Sequence, residues 1–265
     1  MRLAVVQHRD SPPDLARNLA RGLTSLQEAA DRGAELALFP ELYLTGYYLD
    51  EEMVRRAAGV PAALERMQAA VDQLGVSVVL GTPVFRREFL LNAVAVLRPG
   101  KPPDLYAKTH LFRGEKKWFT PGDRFWNGTV AGWSCGVAVC YELGFPEVSR
   151  CLALAGARLL LVPAAWGRPR ADVWHIATAA RALENGCFLA AAGQAGTNGT
   201  IEFLGESRVV GPYGDTLAQA GGEDALLFVD LDAAEVDRAR GGDRGGQTYF
   251  VDRRPGLYGP IGTID

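Results

Sequence analysis

The chain is short of the residues that most metal and redox sites require. Three histidines and four cysteines occur in 265 residues, and none stands in His-x-x-x-His or Cys-x-x-Cys spacing, so a zinc site has no sequence support and no metal is expected. Gly-x-Gly-x-x-Gly and Gly-x-x-x-x-Gly-Lys-Ser/Thr stretches are both missing, which removes dinucleotide and nucleoside-triphosphate loops. No basic excess exists: 28 Lys+Arg against 31 Asp+Glu give a net charge of −3, the wrong sign for binding a phosphate backbone, so nucleic acid is not an expected partner. No apolar run approaches the ~18 residues of a membrane span. The opening Met1-Arg2-Leu3-Ala4-Val5-Val6 soon meets Arg9 and Asp10, so no secretory leader is expected, and the cysteines read as cytoplasmic thiols rather than a disulfide framework.

What is present is a hydrophobic content of 48% with 22% charged residues, an ordinary globular balance able to bury a large core. Apolar residues alternate between strand-like runs (Leu3 to Val6, Leu36 to Phe39, Val76 to Gly81, Leu90 to Leu97, Leu105 to Ala107) and helical stretches, such as Leu15, Leu19, Leu23 and Leu26 on one face. The rhythm repeats from Gly136 to Val139, through a helix at Pro146 to Ala155, to the strand Leu159 to Pro163. A helix from Val173 to Asn185 and strands at Phe188 to Ala192, Ser207 to Val210 and Leu226 to Val229 follow. Strand and helix alternating in this way predict an α/β fold of two similar halves, two sheets between two helix layers. The chain reads as one domain over residues 1–265, with a Gly-, Arg- and Pro-rich arm at about 241–265 that either hangs loose or docks on a partner subunit.

Ligands of open α/β sheets collect at the carboxyl ends of strands, and three reactive side chains directly follow apolar strands: Glu41, Lys108 and Cys140. A carboxylate, an ammonium and a thiol would supply a base, an oxyanion stabiliser and a nucleophile for acyl chemistry. Each has a plainer explanation too: Cys140 as a small core residue, Glu41 and Lys108 as solvated loop residues. Gly132-Trp133-Ser134-Cys135-Gly136 matches the serine-hydrolase elbow only in letters, because a strand follows where a helix is needed.

The wording around the three positions carries more. Phe39-Pro40-Glu41-Leu42-Tyr43-Leu44-Thr45-Gly46-Tyr47, Tyr106-Ala107-Lys108-Thr109-His110-Leu111-Phe112 and Val139-Cys140-Tyr141-Glu142-Leu143-Gly144-Phe145-Pro146-Glu147 together resemble the nitrilase superfamily of carbon–nitrogen hydrolases. Glu115 with Phe119-Thr120-Pro121-Gly122-Asp123 and the stretch Arg181 to Asn185 extend the likeness. The resemblance implies a four-layer αββα sandwich, pairing into a homodimer or higher homo-oligomer, and a triad in which Cys140 is the nucleophile, Glu41 the general base and Lys108 the stabiliser of the tetrahedral intermediate, with the Tyr141 backbone N–H beside it. It makes Glu115 the second glutamate near the triad, and it calls for no cofactor. His110 reads as structural. Lys108 and the helix start after Cys140 would favour the thiolate.

Substrate choice is less constrained. Family nitrilases in the strict sense usually carry Trp after the nucleophile; Tyr141 here tilts the reading toward hydrolysis of a small aliphatic amide to a carboxylic acid and ammonia through a thioester. A nitrilase or N-carbamoyl amine hydrolase with the same triad is the alternative, and an inactive scaffold protein the reading from another class. Tyr47, Tyr141 and Trp166 are expected to line the pocket, with Tyr48, Trp118 and Trp174 as further aromatic candidates. Glu142 or Asp172 would then select a substrate bearing an amine.

Overall fold

A computed structural model describes residues 1–245 and 248–262. Residues 246–247 and 263–265 of the expected C-terminal arm lie outside the described residues.

Two six-stranded sheets form the centre. In the first, β1 (Arg2–Gln7), β2 (Leu36–Leu38) and β3 (Ser77–Arg86) run parallel, β4 (Phe89–Leu97) and β5 (Asp104–Ala107) continue antiparallel from β3, and β14 (Ala225–Asp230) closes the other edge antiparallel to β1. The second repeats the plan: β7 (Trp133–Val137), β8 (Leu159–Ala164) and β9 (Phe188–Gly193) run parallel, β12 (Arg208–Val210) and β13 (Thr216–Gln219) follow antiparallel from β9, and β6 (Trp126–Val130) edges β7 antiparallel. The parallel pairs demand crossovers, and helices supply them. They are α1 (Leu15–Asp31) and α2–α3 (Met53–Ala58, Val60–Leu74) in the first half, and α4 (Pro146–Leu154) and α5 (Ala171–Asn185) in the second. α6 (Ala233–Gly241) follows β14, and β10 (Ala195–Thr197) pairs with β11 (Glu202–Leu204) as a separate hairpin.

Local chemistry explains the boundaries. Asp14 caps α1 by accepting the Arg17 N–H at 3.0 Å, α3 stops at Gly75 in the left-handed conformation, and Pro146 opens α4 where a missing N–H costs nothing. Period-two alternation sorts the first sheet: Leu3, Val5, Leu36, Leu38, Val79 and Val94 face the second sheet, while Ala4, Val6, Ala37, Val78 and Leu80 pack against Leu19 and Leu26 of α1 and Met67 and Val71 of α3. The second sheet buries Cys135, Val137, Leu161 and Ala190 in the shared core with Val148 and Leu152 of α4 and Trp174 and Ala177 of α5. The result is the expected helix–sheet–sheet–helix layering.

The sequence pattern does not announce β6, β10, β11, β13, α2 or α6. Each is short, and β13 is largely exposed, so none writes a clear apolar period. Ser134 lies inside β7, with Gly132 in the tight turn from β6. That placement confirms that the Gly-x-Ser-x-Gly letters build no elbow.

Candidate active site

The carboxyl ends of β2, β5, β7 and β8 point to one place. The chain leaving β2 through Phe39 and Pro40 delivers Glu41; β5 delivers Lys108; the chain leaving β7 delivers Cys140 on a short 3-10 turn, Cys140–Gly144. Two glycines permit the approach. A Cβ on Gly81 would lie 2.5 Å from Glu41 Cα, and one on Gly122 would lie 2.2 Å from the Ala107 carbonyl oxygen. The Gly122 N–H instead donates to Lys108 O at 2.8 Å.

Glu41, Lys108 and Glu115 are fully buried in direct contact. Lys108 Nζ donates to Glu41 Oε1 at 2.6 Å and to Glu115 Oε1 at 2.9 Å. The remaining acceptor sites are also used. Asn92 Nδ2 and the Ala165 N–H donate to Glu41 at 2.7 and 3.1 Å, while the Tyr47 hydroxyl and the Phe112 N–H donate to Glu115 at 2.7 and 2.9 Å. Burial alone would lower the Lys108 pKa, but the two carboxylates outweigh it and hold the amine as an ammonium. Two carboxylates against one ammonium leave the cluster short of positive charge, and burial followed by repulsion from Glu41 raises the Glu115 carboxyl. Tyr47, whose hydroxyl is pushed well up by burial, stays a neutral donor.

Cys140 is 4% exposed and sits at φ +47°, in the left-handed region that favours glycine. The Ala165 N–H that donates to Glu41 also acts to lower the thiol, the last and smallest of the influences on it. Here the expectation of a resting thiolate is corrected: burial, then the Glu41 carboxylate, push the thiol well up, and Lys108 offsets only part of that. The ammonium cannot act as the thiol's private counter-ion because two carboxylates already engage it.

The expected pocket residues divide. Tyr47 reaches the cluster, edge-on to Phe203 with 6.0 Å between ring centroids. Tyr141 stands between Phe112 and Phe145, at 5.0 and 5.1 Å, and lines a cleft of about 390 Å³ with His110, Leu111, Phe119 and Phe145. Trp166 is buried: its indole packs 5.3 Å from Trp174, donates to Arg170 O and lies under the Arg170 guanidinium, which also covers Phe112. The Trp174 indole N–H is spent on Glu206 O. Glu142 is fully buried and does not face the cleft; Thr109, Tyr106, His110 and Val139 supply donors to its two oxygens. Asp172 is exposed at the start of α5. An amine-selecting carboxylate at either position is therefore not supported. His110 is held by Thr109 Oγ1 at 2.8 Å and by the Phe145 ring.

Comparison with known proteins settles the family. The family described as carbon-nitrogen hydrolase matches residues 2–241. The chain belongs to the carbon–nitrogen hydrolase family. Among relatives of this carbon–nitrogen hydrolase, a hydrolase in the pqqF 5′ region of Pseudomonas protegens is 36% identical over 97% of this chain and 90% of its own length. An (R)-stereoselective amidase from a Pseudomonas species is 33% identical over 98% and 93%. Among solved structures, an amidase from Nesterenkonia sp. AN1, a glutamate-to-glutamine variant with the acetamide moiety of fluoroacetamide covalently added at its active-site cysteine, superposes with a TM-score of 0.87. It is 33% identical over 97% of this chain and 95% of that one. Asn92, Tyr106 and the Ala165 N–H are the contacts that sequence reasoning missed. Each lies within or directly after a strand whose alternation signals core and nothing more.

Proposed function

We propose that this carbon–nitrogen hydrolase is an amidase that converts a small aliphatic amide into a carboxylic acid and ammonia through a thioester on Cys140. The observation that carries the reading is the buried Lys108 ammonium gripped by Glu41 and Glu115 beside a thiol on a left-handed turn. Because the resting thiol is protonated, attack and deprotonation are one event: Glu41 takes the Sγ proton as sulfur adds to the carbonyl carbon. The oxyanion that forms is met by the Lys108 ammonium and the Tyr141 backbone N–H. Glu41 then passes its proton to the departing nitrogen, the C–N bond breaks, and ammonia leaves. Water enters, Glu41 removes its proton, and the resulting hydroxide expels the thiolate, which recovers its proton from Glu41. Glu115, kept in place by Tyr47 and Phe112, fixes Lys108 between the two carboxylates.

The surroundings support an uncharged acyl group. Leu42, Tyr47, Leu111, Phe119, Ala165 and Phe203 make one apolar cluster on this side; of the two carboxylates expected to read an amine, Glu142 is already bonded and Asp172 is exposed at the start of α5. Ammonia release from a panel of short aliphatic amides, amino-amides, nitriles and N-carbamoyl amines tests the proposal, with Cys140→Ala as control. Release from neutral amides, lost in the variant, is expected; release only from nitriles or carbamoyl compounds would move the assignment to a sister activity.

We also propose a cytoplasmic homodimer built from one domain per subunit. All four cysteines are free thiols, which suits a reducing compartment. Among the described residues no helix is long and apolar enough to cross a membrane. Val173, Ile176 and Leu183 leave an apolar stripe on α5, with Ile176 69% exposed, and the neighbouring α4 exposes Leu154. Sedimentation of Ile176→Asp tests the pairing: a shift from dimer to monomer is expected, and an unchanged dimer would reject this face.

A further inference from the structure

Glu142 has more donors than any carboxylate in a surface ion pair receives, and they come from two places only. Thr109 N–H and Oγ1–H reach Oε1 at 2.6 Å each, and the His110 N–H follows at 3.3 Å. These two residues directly follow Lys108. The Val139 N–H reaches Oε2 at 2.7 Å; Val139 directly precedes Cys140. Tyr106, two residues before Lys108, shares its hydroxyl proton between the two oxygens at 2.8 and 2.9 Å. With its one hydroxyl proton donated to the carboxylate, Thr109 Oγ1 has only acceptor capacity left for His110 Nδ1 at 2.8 Å, an arrangement that requires the Nδ1–H tautomer.

One fully buried carboxylate thus bonds the chain on both sides of the ammonium and the chain entering the nucleophile. β5 and β7 lie in different sheets, so no ladder hydrogen bond sets the two segments against each other. We propose that Glu142 is a positioning residue: it fixes the Lys108 ammonium relative to Cys140, so that the developing oxyanion meets its stabiliser at the moment sulfur attacks. It touches neither substrate nor the reacting atoms, and this inference rests on the roles proposed above for Lys108 and Cys140. Burial would raise the Glu142 carboxyl, yet the hydrogen bonds from His110, Thr109 and Val139 lower it overall, in keeping with an anion held by its donors.

The test separates alignment from folding by comparing two reactions of the same thiol. Amide hydrolysis needs an oxyanion stabilised; alkylation by iodoacetamide, a displacement at carbon, does not. In Glu142→Gln, which keeps size and one acceptor but turns a donor toward Val139 N–H, kcat on the best amide of the panel should fall about 100-fold with KM little changed. The rate of Cys140 alkylation should stay within about threefold, less than the ~0.7 kcal/mol that separates states by that factor. An unchanged kcat, or a parallel fall of both rates, overturns the proposal. If Glu142→Gln does not fold, Tyr106→Phe and Thr109→Val each remove one donor, and each should lower kcat by about 10-fold while sparing alkylation; an unchanged kcat in both would equally reject it. Cys140→Ala separates this from failure of the underlying reading: if it retains hydrolysis, the nucleophile assignment is wrong, whereas loss in Cys140→Ala with full activity in Glu142→Gln rejects only the positioning role.

Discussion

Cys140 carries two costs that a core cysteine such as Cys135 or Cys187 does not share in full. Burial raises all three thiols, the latter two to about 12, but only Cys140 also holds φ +47°. A left-handed non-glycine residue stores roughly 1–2 kcal/mol. Denaturant unfolding of Cys140→Gly should accordingly show more stability than Cys140→Ala, by about 1 kcal/mol after the entropy of the unfolded glycine is deducted; equal stabilities would remove the strain. Lys108 carries the opposite risk. Lys108→Met would leave Glu41 and Glu115 buried side by side and should cost about 3–5 kcal/mol. Adding Glu115→Gln should recover part of that loss on the same denaturant curves. His8 sets an acid limit. It is buried between Tyr43 and Ser25, at 2.8 and 2.9 Å, and burial, then Arg21, lower its pKa from 6.5 to about 4. The unfolded chain binds this proton first, so the contribution is complete above pH 6.5 and is lost as pH falls toward 4. Unfolding free energy should drop by about 3 kcal/mol across that window, and His8→Gln should flatten the decline; an identical slope in the variant would assign the acid sensitivity elsewhere.

At the level of elements, the reactive side chains were legible because each stands one step beyond an apolar run: Glu41 after Leu36 to Pro40, Lys108 after Leu105 to Ala107, Cys140 after Val137 to Val139. Their partners were not. Asn92 sits inside β4 and Tyr106 inside β5, where alternation marks both as core. Only the fold reveals that Asn92 Nδ2 points at Glu41 and the Tyr106 hydroxyl at Glu142. Glu142 read as a pocket acid because it is two residues from Cys140; the 3-10 turn reverses that by carrying its side chain back to Val139 N–H. The end of β8 offers the site its Ala165 N–H, a backbone contact that no side-chain pattern announces. The same close fit predicts a sensitive strand. Gly81→Ala would drive a methyl into the Glu41 backbone, and a shift of that loop by about 1 Å should lower kcat/KM roughly 100-fold while the circular-dichroism spectrum stays native. Retained activity would mean that the loop has slack.

The whole molecule is two copies of one plan. Read from β14 through β5 and from β6 through β13, both sheets pair in the order antiparallel, parallel, parallel, antiparallel, antiparallel. Glu41 and Lys108 come from the first copy and Cys140 from the second, so the reactive set exists only once both halves have closed on a common core. If the α5 stripe pairs subunits, mass action adds stability that depends on protein concentration. The melting temperature should then fall on dilution for the wild-type chain and hold constant for Ile176→Asp; a concentration-independent wild type would speak against the pairing.

The repeat extends to the left-handed residue itself. Cys140 is the third residue past the end of β7; the third residue past the end of β1, its counterpart, is Asp10, and it too is left-handed, at φ +51°. Asp10 carries no thiol, and its carboxylate caps the Thr197 N–H at 2.9 Å. The same left-handed bend thus stands at the same step in both halves: in one it presents a thiol to the site, in the other a carboxylate that ties the exit of β1 to the β10–β11 hairpin.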